Sequence, residues 1–248
     1  MTGSEPEWRR AGELAAALDV VRSRIARACA EAGRAAVDVE LVAVTKTRPA
    51  TDVALLLDLG LLVFGENRPQ EAAAKHAELA ELRPGGAARW HLVGRLQRNK
   101  ARSVVRWADR VESVDSGRLV DTLAAEATRA AERGERDGPL PVLLQVSLDG
   151  DPARGGVPVD GVSELADRAA GAAGLRLDGL MAVAPVEADP DRAFAALAEV
   201  AAVLRERHPA AVVVSSGMTG DFERAIRHGS TCVRVGTALL GDRPLTSA

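Results

Sequence analysis

The chain has 248 residues, close to the ~250 typical of a closed (β/α)₈ barrel. A formal net charge of −3 gives no electrostatic reason to expect a nucleic-acid partner or an anionic membrane surface. No apolar run reaches the ~20 residues of a membrane span, and a signal-peptide core is absent, so we expect a cytoplasmic protein without a membrane partner. Cys29 and Cys232 lack the spacing of metal ligands. They are expected to be small buried hydrophobic residues, and no metal site is predicted.

The first predicted element is a helix that precedes any strand. Residues 1–8 are predicted to be a flexible tail, and residues 9–248 a single domain. Between 9 and 32, apolar residues recur at spacings of three and four, which is one face of a helix. These residues are Leu14, Leu18, Val21, Ile25 and Cys29.

Strand and helix patterns then alternate to the end of the chain. The predicted strands are 39–46, 61–64, 89–94, 110–115, 140–148, 177–184, 211–216 and 232–236. A helix is predicted in each of the seven intervals between them. Eight strands joined by helices predict an α/β fold, a single TIM-type barrel with an extra N-terminal helix. An open doubly wound sheet is the alternative, but the G-x-G-x-x-G turn after the first strand is missing.

The first predicted strand ends in a lysine. Alternation places Val42, Val44 and Lys46 on one face of this strand, and Pro49 stops it. Burial disfavours the charged ammonium and frees a neutral amine to attack a carbonyl, as Schiff-base lysines do. The alternative is a lysine that only ends the strand and extends to water.

Other polar groups are predicted at the same end of the barrel, where barrels bind ligands. Glycine-rich loops at 215–221 and 236–241 follow the last two strands, a common place for a phosphate site. Arg234 shares a strand face with Gly236, opposite two valines, so it is expected to point into the barrel. An inward arginine needs a partner there. A strand-end lysine, phosphate loops and an inward arginine together suit pyridoxal 5′-phosphate.

Several segments carry a family resemblance that spans nearly the whole chain. They are VAVTK (42–46), FGENRPQE (64–71), HLVGRLQRNK (91–100), SVDS (113–116), GLM (179–181), SGMTGDFERAI (216–226) and GSTCVRVGT (229–237). In these segments the chain resembles the pyridoxal phosphate homeostasis protein family. Those proteins are single-domain barrels of fold type III, related to the barrel domain of alanine racemases.

The resemblance implies a role for individual residues. Lys46 would carry the cofactor as an aldimine, Arg234 would face the ring nitrogen and Asn67 would lie beside the ring. The phosphate would be held by Ser216, Gly217, Gly236 and Thr237. The sequence departs from the family at Ser147, at Leu240 and in the loop 148–156, which lacks a lysine before its Gly-Val. These departures concern contacts at the rim.

Three functions remain open at this point. The first is a carrier that holds pyridoxal phosphate and takes part in its homeostasis, with pyridoxal phosphate-dependent apo-enzymes as recipients. In that case the protein is not an enzyme and has no catalytic residues. The second is a racemase-like enzyme that uses the same cofactor, and the third is an aldolase-like barrel whose lysine attacks substrate directly. The chain has no tyrosine to act as a second acid or base, and the absence of a second domain favours a monomer.

Two features have less certain roles. His91 is either a ring-side partner or a histidine satisfied at a strand end. A basic stretch follows it: Arg95, Arg98, Lys100, Arg102 and Arg106. Such a stretch is either a solvated helix face or a second site for an anion or a partner.

Overall fold

The computed structural model describes residues 7–151, 154–185 and 189–241. The strands in this part of the chain are β1 (Glu40–Val44), β2 (Val63–Glu66), β3 (Arg89–Leu92), β4 (Arg110–Val114), β5 (Leu140–Ser147), β6 (Val157–Pro158), β7 (Leu175–Met181), β8 (Val213–Ser215) and β9 (Cys232–Val235). The helices are α1 (Glu7–Glu31), α2 (Ala50–Asp58), α3 (Pro69–Leu82), α4 (Ala101–Val104), α5 (Gly117–Glu132), α6 (Val162–Gly171), α7 (Pro190–Arg207), α8 (Phe222–Arg227) and α9 (Thr237–Leu240). None of the helices so described is long and apolar enough to cross a membrane.

Eight of these strands form a closed parallel barrel. Each pairs with its neighbour along the chain, β5 pairs with β7, and β9 returns to pair with β1. The two-residue strand β6 lies outside the barrel and pairs only with β5. The predicted TIM-type α/β barrel is therefore confirmed.

The extra helix α1 packs against α2, α8 and α9 on the outside of the barrel. Its five predicted apolar positions are all buried. The helix begins at Glu7, so the last two residues of the predicted tail are helical, while residues 1–6 lie outside the described residues. Gly33 follows the helix with φ of 65°, a conformation that glycine adopts without strain.

All eight predicted strands differ from the observed ones by one to three residues at one end or both, as the first two illustrate. The strand predicted from 61 begins at Val63, because the amide of Leu61 donates to Leu56 O (3.0 Å) and completes the end of α2. The strand predicted to end at Lys46 ends at Val44, so the lysine lies in the turn beyond the strand. Lys46 nevertheless stays at the C-terminal end of the barrel.

The opposite end of the barrel is closed by charged side chains. Arg110 at the start of β4 contacts Glu40 Oε2 at 3.1 Å and Asp178 Oδ2 at 3.7 Å, and Arg89 contacts Glu40 Oε1 at 2.9 Å. These ion pairs lie near the N-terminal ends of β1, β3 and β4. The C-terminal ends of the strands are left as the place for a ligand.

Candidate functional site

A pocket of about 500 Å³ lies at the C-terminal ends of the barrel strands. Its lining consists of Val44, Lys46, Asn67, Val93, Val183, Met218, Thr219, Gly220, Arg234, Gly236 and Thr237. Five of the seven site residues predicted from the sequence therefore meet in one pocket. The other two, Ser216 and Gly217, are buried behind it.

A buried charge cluster anchors the end of β1, next to the partly buried Lys46. Thr45 Oγ1 donates to Glu66 Oε1 at 2.6 Å. Lys75 Nζ on α3 donates to Thr45 O at 2.8 Å and forms an ion pair with Glu66. Burial raises the pKa of Glu66, although the hydrogen bonds from Lys75 and Thr45 act against it. The cluster ties the backbone just before Lys46 to β2 and α3.

The residue after Lys46 has an unusual backbone conformation. Thr47 has φ of 63°, which is uncommon for any residue with a side chain and rarer still for a β-branched one. Its amide donates to the carboxylate of Glu71 on α3. Lys46 is therefore held between two residues that α3 fixes in place, so the turn sets the direction of its side chain.

Arg234 points into the barrel, as its strand face predicted. Its guanidinium donates to Ser215 Oγ at 2.6 Å and to Ala182 O at 2.9 Å. Ser215 Oγ donates to Glu112 Oε2 at 2.6 Å, and Arg234 Nη1 lies 3.8 Å from the same oxygen. His91 Nδ1 donates to Glu112 Oε1 at 2.8 Å. His91 therefore has a hydrogen-bond partner in the barrel interior, and it is not among the described residues that line the pocket.

Glu112 balances the charge of Arg234. Burial is the largest single influence on the pKa of Glu112, and it raises that pKa. Burial is outweighed by the hydrogen bond and charge of His91, the charge of Arg234 and the hydrogen bond of Ser215, which together lower the pKa to about 2. The carboxylate is therefore ionised at neutral pH. Sequence reasoning missed this residue, because nothing in the local pattern of β4 indicates which distant strand it faces.

The loop after β8 approaches the pocket through residues next to those predicted. Gly217 has φ of 90°, and a Cβ there would lie 2.7 Å from atoms of α8. The amide of Ser216 and the carbonyl of Gly217 are both hydrogen-bonded to the backbone of β9 at 3.0 Å. These two residues support the loop, while Met218, Thr219 and Gly220 face the pocket. The amide of Ala238 in α9 donates to Thr219 Oγ1 at 3.5 Å, which joins the two glycine-rich loops.

The extra helix α1 also supports this loop, a role that the sequence pattern did not indicate. Arg24 donates to Thr219 O at 3.1 Å and pairs with Glu223 Oε1 at 2.6 Å. The guanidinium lies 4.4 Å from the ring centroid of Phe222. α1 therefore contributes to the site although no part of it lines the pocket.

Asn67 is positioned by a close backbone contact. A Cβ on Gly94 would lie 2.3 Å from Asn67 O and 2.6 Å from its Cα, so only glycine fits at this position. Ser113 Oγ donates to Gly94 O at 2.7 Å and holds the β3 loop in place. Asn67 stands between the pocket described above and a second, larger cavity.

Two of the departures from the family pattern, at Ser147 and in the loop 148–156, lie beside the pocket, and the third is in the core. Ser147 and Arg154 line a cavity of about 240 Å³ that shares Val183 with the pocket, and Leu240 is buried. In the ranges that the structure describes, no three His, Cys, Asp or Glu side chains are grouped to hold a metal ion.

Comparison with known proteins identifies the family of this barrel. Residues 17–244 match the family model described as alanine racemase, N-terminal domain. The pyridoxal phosphate homeostasis protein of Mycobacterium tuberculosis H37Rv is 48% identical over 96% of both chains, and that of Escherichia coli K12 is 37% identical over 93% of this chain and 97% of its own. PipY of Synechococcus elongatus, solved with PLP bound, has a TM-score of 0.78 at 33% identity, covering 92% of this chain and all of its own. The chain therefore belongs to the pyridoxal phosphate homeostasis protein family.

Proposed function

We propose that this protein binds pyridoxal 5′-phosphate reversibly and takes part in the homeostasis of that cofactor, without strong catalysis of its own. The observation that carries the proposal is the meeting of Lys46, Asn67, Arg234 and the two glycine-rich loops in one pocket. The names of the relatives and the PLP-bound state of PipY support the same ligand.

The chemistry of the pocket fits this cofactor. Lys46 would hold the cofactor through its amine, the group that reacts with an aldehyde. Gly236 and Thr237 line the pocket at the start of α9, where backbone amides and a glycine without a side chain would suit a phosphate. Arg234 would supply a fixed cation for the ring nitrogen. The pocket volume of about 500 Å³ is within the range of small-molecule sites.

A weak or absent catalytic activity is expected from the same lining. Apart from Lys46, the described residues around the pocket include no aspartate, glutamate, histidine, tyrosine or cysteine that could exchange a proton with a substrate. The whole chain has no tyrosine. Loss of a positioned acid or base typically costs about 10²–10⁴-fold in rate.

Reduction of the loaded protein with borohydride tests the binding mode. The chain has only three lysines, namely Lys46, Lys75 and Lys100, so mass analysis of peptides can assign the adduct without ambiguity. We expect a yellow protein that borohydride bleaches, with the adduct on Lys46. Lys46→Ala should lose the absorbance band, and the control Lys100→Ala should keep it. A colourless protein, or an adduct on Lys75 or Lys100, would contradict the proposal.

Exchange of the Cα proton tests the racemase alternative. The cofactor-loaded protein is incubated with L- or D-alanine in deuterium oxide, and exchange is followed by NMR. We expect exchange far below about 1 s⁻¹, the lower end of ordinary enzyme turnover. Exchange at or above that rate, abolished by Lys46→Ala, would make this protein an enzyme.

The remaining part of the proposal concerns partners. We propose pyridoxal phosphate-dependent apo-enzymes as recipients and a cytoplasmic monomer as the working form. Activation of an apo-enzyme by the loaded protein, compared with the same amount of free cofactor, tests the transfer. Sedimentation of the loaded protein tests the oligomeric state, and a stable dimer would contradict the proposed monomer.

A further inference from the structure

A cavity larger than the Lys46 pocket lies on the far side of Asn67. It has a volume of about 820 Å³ and is formed by the loops after β2, β3 and β4. It is lined by Asn67, Arg68, Pro69, Gln70, Arg95, Leu96, Gln97, Arg98, Lys100, Asp115, Ser116, Arg118 and Leu119. None of the functions proposed above uses this cavity.

The cavity carries a strong excess of positive charge. Five cationic side chains line it, against the single carboxylate of Asp115, which leaves a formal charge of +4. The five are Arg68, Arg95, Arg98, Lys100 and Arg118. Within the ranges described, none of these five side chains forms an ion pair or a hydrogen bond. Elsewhere on the surface, Arg83 and Arg168 each hold a carboxylate with two nitrogen atoms.

A single helix face does not account for this arrangement. The five cations come from three separate loops, and only three of them belong to the basic stretch of the sequence. Arg102 and Arg106 belong to that stretch as well, yet neither lines the cavity. Arg68, Arg95, Arg98 and Arg118 are exposed and Lys100 is partly buried, so water screens part of the repulsion among them. An anion placed between them would be attracted by all five charges.

We propose that this cavity binds a small phosphate, either free or as a monoester, as a second anion site separate from the Lys46 pocket. Arginine forks match the oxygens of a phosphate, and several of them together can surround a dianion. The volume suits a small molecule. No aromatic side chain is found among the described residues that line it, so the stacking surface that single-stranded nucleic acids need is missing.

The test uses protein whose Lys46 pocket is already filled by borohydride-reduced cofactor, so that a second site is measured alone. Inorganic phosphate and pyridoxine 5′-phosphate, which has no aldehyde, are titrated separately by calorimetry. We expect one molecule bound per chain, with affinity that falls as salt is added. Tighter binding of pyridoxine 5′-phosphate would identify a cofactor-related ester as the ligand, and equal binding would identify free phosphate; either result supports the site.

Variants assign the binding to the cavity. Arg95→Gln with Arg98→Gln should weaken binding by at least about tenfold, because each charge-assisted hydrogen bond contributes at least that much. The control Arg102→Gln removes one positive charge from the same stretch outside the cavity, so it is matched to each single variant, Arg95→Gln or Arg98→Gln, and should have little effect. Unchanged absorbance of the loaded variants would show that the Lys46 pocket is intact. The proposal is overturned if neither probe binds, if the double variant binds as well as the parent, or if Arg102→Gln is equally weakened.

Discussion

Glu112 allows a quantitative test of how the barrel interior is built, because it is a fully buried carboxylate that accepts hydrogen bonds from His91 and Ser215 beside Arg234. Its pKa in the folded protein is about 2, against an ordinary value of 4.5. A pKa lowered by folding means that the carboxylate contributes stability above the ordinary value and loses it as the pH falls towards the folded value. At about 1.36 kcal/mol per pKa unit, the contribution at neutral pH is about 3 kcal/mol.

We therefore expect Glu112→Gln to lower the free energy of unfolding by about 3 kcal/mol at pH 7, because the amide keeps the shape of the side chain and removes its charge. Urea denaturation of both proteins at a series of pH values measures the difference. Most of the difference should disappear between pH 4.5 and pH 2, the two values of the pKa. Asp121→Asn, in an exposed pair with Arg168, is the control and should change little at any pH. A difference below about 1 kcal/mol at neutral pH, or one that stays constant on acidification, would refute the reasoning.

Two further predictions concern the loop that faces the cofactor pocket. Gly217→Ala should weaken cofactor binding and destabilise the fold, because the added Cβ would lie 2.7 Å from atoms of α8. Gly229→Ala is the control: its φ of 92° matches the 90° of Gly217, but an added Cβ there has open space. Equal effects at both positions in cofactor titration and thermal unfolding would show that backbone strain alone matters. Arg24→Ala should weaken cofactor binding because it removes the support of Thr219, whereas Arg27→Ala, one turn away and mostly exposed, should not. Equal cofactor affinity in the two arginine variants would contradict a supporting role for α1.

The barrel could be predicted from the sequence because each strand and helix has its own local pattern. Eight apolar runs separated by helical periods leave few topologies once short right-handed connections are required. The boundaries were less predictable. Leu61 reads as part of an apolar strand, yet its amide completes the end of α2, a backbone requirement that hydrophobic pattern does not report.

The site was predictable to the extent that strand ends determine it. Lys46, Arg234 and the two glycine-rich loops could be placed at one end of the barrel from alternation alone. The supporting contacts could not be predicted in this way. Glu66 and Lys75 meet because α3 packs behind β2, and Glu112 meets Ser215 across the barrel, 103 residues apart in sequence. Such pairs depend on barrel closure and register, which no single segment contains.

The two buried charge clusters have different consequences for the ligand. Glu66 and Lys75 fix the turn that carries Lys46. Glu112 and Ser215 instead hold Arg234 in place inside the barrel. Arg234 already donates to two protein groups and has a buried counter-ion, so it keeps its place and its charge when a ligand enters. If the cofactor binds as proposed, a fixed cation beside its ring would disfavour a second positive charge on the ring nitrogen. A ring kept neutral would withdraw electrons less strongly from a bound amino acid, which agrees with the proposed storage role.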